Sequence, residues 1–319
     1  MLKFKTGDTM KKIYRLNPAL FANVWGGNKL RAYGKESAED RIGESWELSF
    51  VAGSEAEAEG RKTSEIFPRE CWGKRAAKFE FFPTLTKFID AREKLSVQVH
   101  PSDEYALANE GQYGKSEMWY VVSADEGAGL YMGFNRSYEK DEIARAIADG
   151  TVENMLSFKP VSAGDVFFIP AGTVHAIGGG VLIFEIQQNS TLTYRLYDYC
   201  RRDKSGNLRE LHVDRAMKVL NTGVYKPQIL PAPSSRGERV IGECEYFKVK
   251  EYELCESTAA LQVSCESFKS VTVVSGECEI STADEHHTAK AGDSFFIPAQ
   301  SEALEISVTG TAKLITVEV

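Results

Sequence analysis

The sequence is poor in cysteine and has no Cys-x-x-Cys pair. Its 319 residues include 6 cysteines. They are scattered along the chain at Cys71, Cys200, Cys244, Cys255, Cys265 and Cys278. A disulfide-stabilised secreted protein is usually much shorter and denser in cysteine. The sequence therefore predicts reduced thiols and a cytoplasmic location.

Long apolar runs and an excess of positive charge are also missing. No segment reaches the length of a membrane span, and Met1–Lys5 lacks the apolar stretch of a signal peptide. Met10 could be an alternative start, with residues 1–9 as a loose extension. The net charge of −8 disfavours nucleic acid as a general partner, although it allows a local pocket for an anion. We expect neither a membrane nor a nucleic-acid partner.

The chain is instead rich in short strand-like runs of Val, Ile, Phe, Tyr and Thr, broken by Gly, Asp and Pro. In the first two thirds these runs are Glu80–Ile89, Leu95–His100, Met118–Val122, Val166–Ile169, Val181–Gln187 and Thr191–Tyr197. Helical patterns cover Asp103–Glu110, capped by Ser102, then Lys140–Ala148 and Val152–Leu156. With hydrophobic residues at 43%, the chain can bury a sizeable core. The sequence predicts an all-β dominated fold with a few short helices.

A linker and an internal repeat divide the chain. Lys226–Arg239 is rich in proline and serine and is predicted to be the linker. Ala163–Ala171 matches Ala291–Ala299 at eight of nine positions, which indicates two copies of one barrel. We expect a metal-binding catalytic domain over residues 1–235 and a second barrel over residues 236–319. That second barrel has Glu302 or Ala303 where the first has a histidine, so it should bind no metal. Strands predicted there are Tyr246–Leu254, Ala260–Cys265, Ser270–Val274, Glu277–Ser281, Ser294–Ile297 and Ala312–Val317.

Four polar residues in or beside apolar strands form the candidate metal site: Gln98, His100, Glu117 and His175. A lone histidine is more often a core or surface residue than a ligand. Here each polar group would be costly to bury unless it were satisfied, and coordination would satisfy all four together. Zinc is the first choice for nitrogen and oxygen ligands around an open position, whereas iron, manganese and cobalt also suit these ligands.

Three further charged residues are candidates for the chemistry. Lys115 and Arg195 could hold a phosphate or stabilise an oxyanion, although either could also be an ordinary surface charge. Glu185 is a carboxylate within an apolar strand, a setting that raises a carboxyl pKa towards the range useful for proton transfer. A plain salt bridge between Glu185 and Arg195 is the alternative.

The repeated Gly-Asp-x-Phe-Phe-Ile-Pro-Ala unit resembles the cupin superfamily of small jelly-roll barrels. A wider set of motifs resembles type I mannose-6-phosphate isomerase, in its short bacterial form, over nearly the whole chain. These motifs are Trp25–Gly27, Ile42–Ser49, Gln98–Pro101, Lys115–Tyr120, Gly172–Ala176 and Thr193–Asp198. The resemblance implies two cupin-type jelly-roll barrels. It also implies that a large helical insertion of longer family members is absent here.

The resemblance implies an aldose–ketose isomerase that interconverts D-mannose 6-phosphate and D-fructose 6-phosphate through a metal-stabilised cis-enediolate. The family's zinc ligands fall on Gln98, His100, Glu117 and His175, with one zinc per chain. Its active-site lysine and arginine fall on Lys115 and Arg195, and a glutamate falls on Glu185. Thr191-Leu192 and Leu196–Tyr199 depart from the longer members, so substrate contacts there are expected to differ.

Two other functions stay open from the sequence. An iron-dependent cupin dioxygenase could use His100, Glu117 and His175 as a facial triad, but it leaves Gln98, Lys115 and Arg195 without a role. A non-catalytic sugar-binding cupin could keep the metal without turnover. The expected partner is a small sugar phosphate, and the expected assembly is a monomer or a homodimer.

Overall fold

A computed structural model of the protein describes residues 12–202, 205–227, 237–299 and 303–319. The loose extension and alternative start expected at residues 1–10 lie outside these ranges. So do Glu302 and most of the predicted linker, residues 228–236, together with the expected domain boundary at residues 235 and 236.

Strands dominate the structure. Those before the linker are β1 (Tyr14–Arg15), β2 (Ala19–Phe21), β3 (Glu44–Leu48), β4 (Glu57–Ala58), β5 (Arg61–Lys62), β6 (Thr84–Ala91), β7 (Val97–Val99), β8 (Glu117–Ala124), β9 (Gly129–Phe134), β10 (Leu156–Pro160), β11 (Val166–Ile169), β12 (His175–Ile177), β13 (Val181–Gln188) and β14 (Tyr194–Tyr197). Those after it are β15 (Glu238–Glu243), β16 (Lys248–Cys255), β17 (Thr258–Leu261), β18 (Lys269–Ser281), β19 (His286–Lys290), β20 (Ser294–Ile297), β21 (Leu304–Ser307) and β22 (Thr311–Glu318).

Helices are short and lie between strands. The α-helices are α1 (Thr63–Ile66), α2 (Asp103–Glu110), α3 (Lys140–Ala148) and α4 (Val213–Val219). Single 3₁₀ turns cover Lys29–Tyr33, Arg69–Trp72, Ala76–Lys78 and Val152–Met155. Helices α2 and α3 have the predicted bounds, and α2 follows Ser102 and ends at Gly111 in the left-handed conformation. None of the described helices is both long and apolar enough to cross a membrane.

Two sheets build the first barrel. One has the strand order β11-β8-β13-β6-β3-β2, and the other has the order β10-β9-β12-β7-β14. Side chains alternate between the two faces of a strand. Both faces are buried along most of β8 and along all of β13. Trp119, Val121 and Ile183 pack with Leu130 and Ile177 of the opposite sheet, so this face of the strands lines the barrel interior. Glu117 and Glu185 share the parity of that inner face.

The outer face of the same strands packs against the second barrel. Met118, Tyr120 and Phe184 share one buried cluster with Phe247 and Val317, which come from after the linker. The long sheet of the second barrel includes β18, β22 and β16, and β20 at its edge pairs with β1 from the start of the described chain. The two barrels are therefore joined by a common core and by a shared sheet.

Most predicted strands differ from the structure by a few residues at their ends, and four of them differ in a way that has a clear position in the fold. Strand β6 begins at Thr84 rather than Glu80, because Pro83 has no amide hydrogen to donate to a neighbouring strand. The two strands predicted on either side of Gly276 form the single strand β18, in which the pairing with β22 shifts between Val273 and Ser275. A β-bulge thus replaces the predicted turn. Strand β17 ends at Leu261, so the prediction of a strand continuing to Cys265 is wrong.

All six cysteines lie in the described part of the chain and all are free. The absence of disulfides agrees with the prediction of reduced thiols. The stability of both barrels must then come from the buried apolar clusters and the strand pairing.

Candidate metal centre and active-site cavity

The predicted metal ligands come from three strands, which belong to the two sheets of the first barrel. Gln98 lies in β7 and His100 follows that strand directly, while Glu117 and His175 open β8 and β12. Strands β7 and β12 pair with His175 opposite Gln98. The sheets therefore bring together residues that are far apart in the sequence.

The four side chains converge inside the barrel. His100 Nε2 lies 3.4 Å from Glu117 Oε2, and His175 Nε2 lies 3.2 Å from Glu117 Oε1. These three residues are buried and form the one group of three or more His, Cys, Asp or Glu ligands found among the described residues. Gln98 Nε2 lies 3.3 Å from His175 Nε2. A coordinating Gln98 would turn its amide so that the oxygen faced the group.

Hydrogen bonds on the far side of each ring fix the histidine tautomers. His100 Nδ1 lies 2.8 Å from the carbonyl oxygen of Leu192, and His175 Nδ1 lies 2.8 Å from that of Thr173. A carbonyl oxygen can only accept, so Nδ1 carries the hydrogen in both rings. Each Nε2 then directs a lone pair at Glu117. Imidazole rings held by such outer hydrogen bonds are typical of metal ligands.

The charge states of these groups suit a cation. Burial lowers the pKa of His100 to about 3, so its ring is neutral at pH 7. Burial would raise the pKa of Glu117, but Lys115 and the two histidines outweigh it and hold that pKa well below the usual range. His100 Nε2 and both Glu117 oxygens have no hydrogen-bond partner among the described residues. Buried acceptors without partners are costly, and a metal ion would satisfy them together.

Next to this group lies a buried row of alternating charges. Lys115 Nζ is 3.3 Å from Glu117 Oε2 and 3.7 Å from Glu185 Oε1. Lys87 Nζ is 3.2 Å from Glu185 Oε1 and 3.1 Å from Glu44 Oε2. Glu185 therefore pairs with two lysines, and the alternative prediction of a Glu185–Arg195 salt bridge is wrong. These residues lie in different sheets, with Glu185 opposite Lys87 and Arg195 opposite Gln98.

The surroundings of Glu185 favour the protonated form of its carboxyl group more strongly than bulk water does. Burial and the nearby Glu117 raise its pKa, and Lys87 and Lys115 oppose that shift only in part. Trp119 Nε1 donates to Glu185 Oε2 at 2.9 Å, which fixes the carboxylate. The other oxygen, Oε1, has no hydrogen-bond partner in the described chain. The upward shift agrees with the expectation from the apolar strand.

Arg195 is partly buried. Its Nη1 donates to the carbonyl oxygen of Glu210 at 2.6 Å, and its Nε is buried without a partner among the described residues. Its backbone amide donates to His212 Nδ1 at 3.2 Å. The guanidinium group is thus anchored at one nitrogen and leaves hydrogen-bonding capacity for a ligand.

A cavity of about 130 Å³ joins these groups. Its lining residues are Asn23, Trp25, Glu44, Lys87, Ile89, Leu95, Ser96, Gln98, Lys115, Ile177, Glu185, Thr193, Arg195 and Arg209. The sequence analysis assigned no role to Lys87, Glu44 or Arg209. Lys87 carried the same signal as Glu185, a charge within an apolar strand. Arg209 lies in a polar loop, where no pattern distinguishes it.

The fold and the site together define a class of protein. A β-rich jelly-roll architecture that encloses a buried His–Glu–His group is characteristic of metal-binding cupins.

Comparison with known proteins identifies the family. A family model described as "Mannose-6-phosphate isomerase, cupin domain" matches residues 238–319. Mannose-6-phosphate isomerase of Streptococcus mutans is 37% identical over 295 residues, covering 89% of this chain and 91% of that protein. Mannose-6-phosphate isomerase ManA of Bacillus subtilis is 34% identical, covering 88% and 91%. The crystal structure of the mannose 6-phosphate isomerase from Bacillus subtilis superposes with a TM-score of 0.88 at 31% identity, covering 97% of this chain and 100% of that one.

The chain belongs to the mannose-6-phosphate isomerase family. The predicted family and the predicted β-rich cupin fold are confirmed. An isomerase is also favoured over the two alternatives from the sequence, the iron dioxygenase and the non-catalytic sugar-binding cupin.

Proposed function

We propose that the protein interconverts D-mannose 6-phosphate and D-fructose 6-phosphate through a cis-enediolate in the cavity described above. Family membership supports the reaction class. The observation that carries the proposal is the position of the Lys115–Glu185 pair, which lines the cavity beside the buried acceptors of His100, Glu117 and His175. A proton carrier and a cation site next to each other are what an enediolate reaction needs.

Gln98, His100, Glu117 and His175 are the proposed metal ligands, and zinc is the proposed metal. Two neutral imidazoles, a carboxylate and an amide oxygen fit zinc and leave room for a substrate oxygen. When bound, the metal would act as a Lewis acid that polarises the sugar oxygens and stabilises negative charge on the enediolate. The unsatisfied acceptors of His100 and Glu117 support the fit.

Glu185 is the proposed base that moves a proton between C2 and C1 of the open-chain sugar. Its Oε1 lies 3.2 Å from Lys87 Nζ and 3.7 Å from Lys115 Nζ, and no described residue donates a hydrogen bond to it. Its raised pKa brings the carboxylate closer to the basicity that proton transfer requires. Lys115, which lies between Glu185 and Glu117, is the alternative base.

Arg195 is the proposed anion-binding residue, for the phosphate or for the developing oxyanion. It lies opposite Gln98 in the strand pairing, so it reaches the cavity beside the metal ligands. Its buried Nε has no partner among the described residues, and a phosphate or enediolate oxygen would provide one.

Residues 236–319 are proposed to form a structural barrel that holds no metal. Their buried contact with the first barrel is mainly apolar, through residues such as Phe247 and Val317, and Tyr120 also donates to Glu251 Oε1 at 2.9 Å. Ala303 lies within the described residues and offers no ligand atom. One metal per chain follows from this division. The cytoplasmic location and the monomer or homodimer stay predictions.

A coupled assay for fructose 6-phosphate formation from mannose 6-phosphate tests the function. Elemental analysis of the same sample should find zinc or another divalent metal. A dioxygenase would instead consume oxygen and contain iron, and a binding protein would hold the sugar phosphate without turnover. Metal-loaded, folded protein that forms no fructose 6-phosphate would refute the proposal.

A further inference from the structure

We propose that Arg209 is a second guanidinium group for the substrate's phosphate and thereby determines specificity for phosphorylated sugars. The inference rests on the proposed function, because it assigns part of the same substrate. Arg209 lines the cavity together with Arg195.

The cavity has more positive than negative side chains. Four lining residues are cationic and two are carboxylates: Lys87, Lys115, Arg195, Arg209, Glu44 and Glu185. The lining thus carries an excess of two positive charges in a chain whose net charge is −8. A sugar phosphate carries close to two negative charges at pH 7, as other phosphate monoesters do. The excess charge of the cavity would match it.

The two lysines are already paired, whereas the two arginines have capacity left. Lys87 and Lys115 each contact two carboxylates in the buried row. Within the described ranges, Arg195 has no carboxylate partner and donates to a backbone carbonyl. Burial, and after it the charge of Arg209, lower the pKa of Arg195, which places the two guanidinium groups within electrostatic reach of each other. An anion between them would relieve that repulsion.

Asp198 holds the guanidinium group of Arg209 at one end only. Arg209 Nη1 lies 3.1 Å from Asp198 Oδ1 and 3.3 Å from Oδ2. Both contacts use Nη1, and no described residue accepts from Nη2 or Nε. Arg201 binds the same carboxylate through its Nη2. One buried carboxylate thus serves two arginines, so it fixes their positions without neutralising both.

The backbone is strained directly after Asp198. Tyr199 and Cys200 adopt the left-handed conformation, with φ of 54° and 53°. Non-glycine residues rarely do so, and such strain is concentrated at functional sites. The Arg209 amide donates to the Arg201 carbonyl at 3.4 Å, and Arg209 lines the cavity. A planar guanidinium group that is anchored through one nitrogen is well suited to bind phosphate oxygens with its remaining nitrogens.

Arg201 provides the matched control. Arg201→Gln removes an ion pair to the same Asp198, but Arg201 is not among the residues that line the cavity. Kinetics with mannose 6-phosphate, inhibition by inorganic phosphate, melting temperature and metal content should be measured for Arg209→Gln, Arg209→Lys and Arg201→Gln. Arg209→Gln should raise KM and the phosphate inhibition constant about 10- to 100-fold, as expected for losing a charge-assisted hydrogen bond. Its kcat and metal content should change little.

Arg209→Lys keeps the charge but not the fork, so its KM should lie between those of the wild type and Arg209→Gln. Arg201→Gln should keep KM and the phosphate inhibition constant near the wild-type values. If the two glutamine variants have the same KM and differ only in melting temperature, Arg209 is a structural residue and the inference is overturned. The same holds if KM for Arg209→Gln stays within about twofold of the wild type, well below the cost of a lost charged hydrogen bond.

A binding test separates this inference from the proposed function. Inorganic phosphate should raise the melting temperature of the wild type and of Arg201→Gln but not of Arg209→Gln, since a ligand that binds the folded state stabilises it. This readout needs no turnover. Wild-type protein without isomerase activity but with this pattern would refute the proposed function and leave the anion site standing. Active protein with equal phosphate stabilisation in all three would refute the role of Arg209 alone.

Discussion

The assignment of Glu185 as the base gives a prediction that the structure makes specific. Glu185→Gln keeps the size of the side chain, and the amide oxygen can still accept the hydrogen bond from Trp119 Nε1. The substitution removes the proton-accepting charge. We expect kcat to fall about 10²- to 10⁴-fold, the usual contribution of a general base. This corresponds to about 3–5 kcal/mol in the activation free energy. The metal content should stay unchanged, because Glu185 is not one of the proposed ligands.

Glu44→Gln is the control for the charge that Glu185→Gln removes. Glu44 also accepts a hydrogen bond from an indole, Trp46 Nε1 at 2.8 Å, and also pairs with Lys87. Either variant therefore leaves Lys87 with one carboxylate instead of two, and Glu185→Gln also removes a carboxylate partner of Lys115. Glu44→Gln should lower kcat by less than about tenfold, since it removes no proton transfer. The difference between the two variants measures the base itself.

The assay follows the isomerisation of mannose 6-phosphate in deuterated water. Because a carboxylic acid can exchange its proton between the two steps, the wild-type product should contain some deuterium. Glu185→Gln should slow both turnover and exchange. A near-wild-type rate in this variant would pass the role of base to Lys115. Wild-type turnover without any exchange would leave room for a hydride shift instead.

The remaining predictions concern the metal and the anion. Chelation should abolish turnover, and adding zinc, cobalt or manganese should restore it. Glu117→Ala should lower the metal content. Full activity in metal-free protein would refute the metal site. Elemental analysis should give one metal per chain, whereas two would show that the second barrel binds metal after all. Arg195→Ala should raise KM and cost about 2–4 kcal/mol in kcat/KM, as for a truncated partner of a desolvated charge pair. Free mannose should be a poor substrate, and equal efficiency on both sugars would contradict the anion pocket.

The sequence predicted the metal group because its residues interrupt apolar strands. His100, Glu117 and His175 are polar groups that would be costly to bury alone, and they are buried together as expected. Lys87 interrupts an apolar strand in the same way, but a lysine can extend its charge out of a core along its flexible stem. Sequence alone therefore does not tell whether such a lysine is inside. Here the charge of Lys87 stays buried because it forms ion pairs with Glu44 and Glu185.

Pairing between distant residues was the least predictable part of the site. Glu185 and Arg195 are ten residues apart and looked like partners, yet β13 and β14 belong to different sheets. Their neighbours are set by strand register, which places Lys87 opposite Glu185. Arg209 was missed because its contact with Asp198, 11 residues away, follows no local motif. Such contacts come from tertiary structure rather than from local pattern.

The pairing of β1 with β20 has a consequence for how the protein is made. Tyr14 lies opposite Phe296, so β1 meets its partner only after all the residues between them have been synthesised. The outer face of β8, with Met118 and Tyr120, likewise stays uncovered until Phe247 and its neighbours have been synthesised. Contacts between such distant segments form late because loop closure costs entropy. A nascent chain that ends before residue 236 would expose an apolar sheet face. Premature termination is therefore expected to produce aggregation-prone fragments and not an active first barrel.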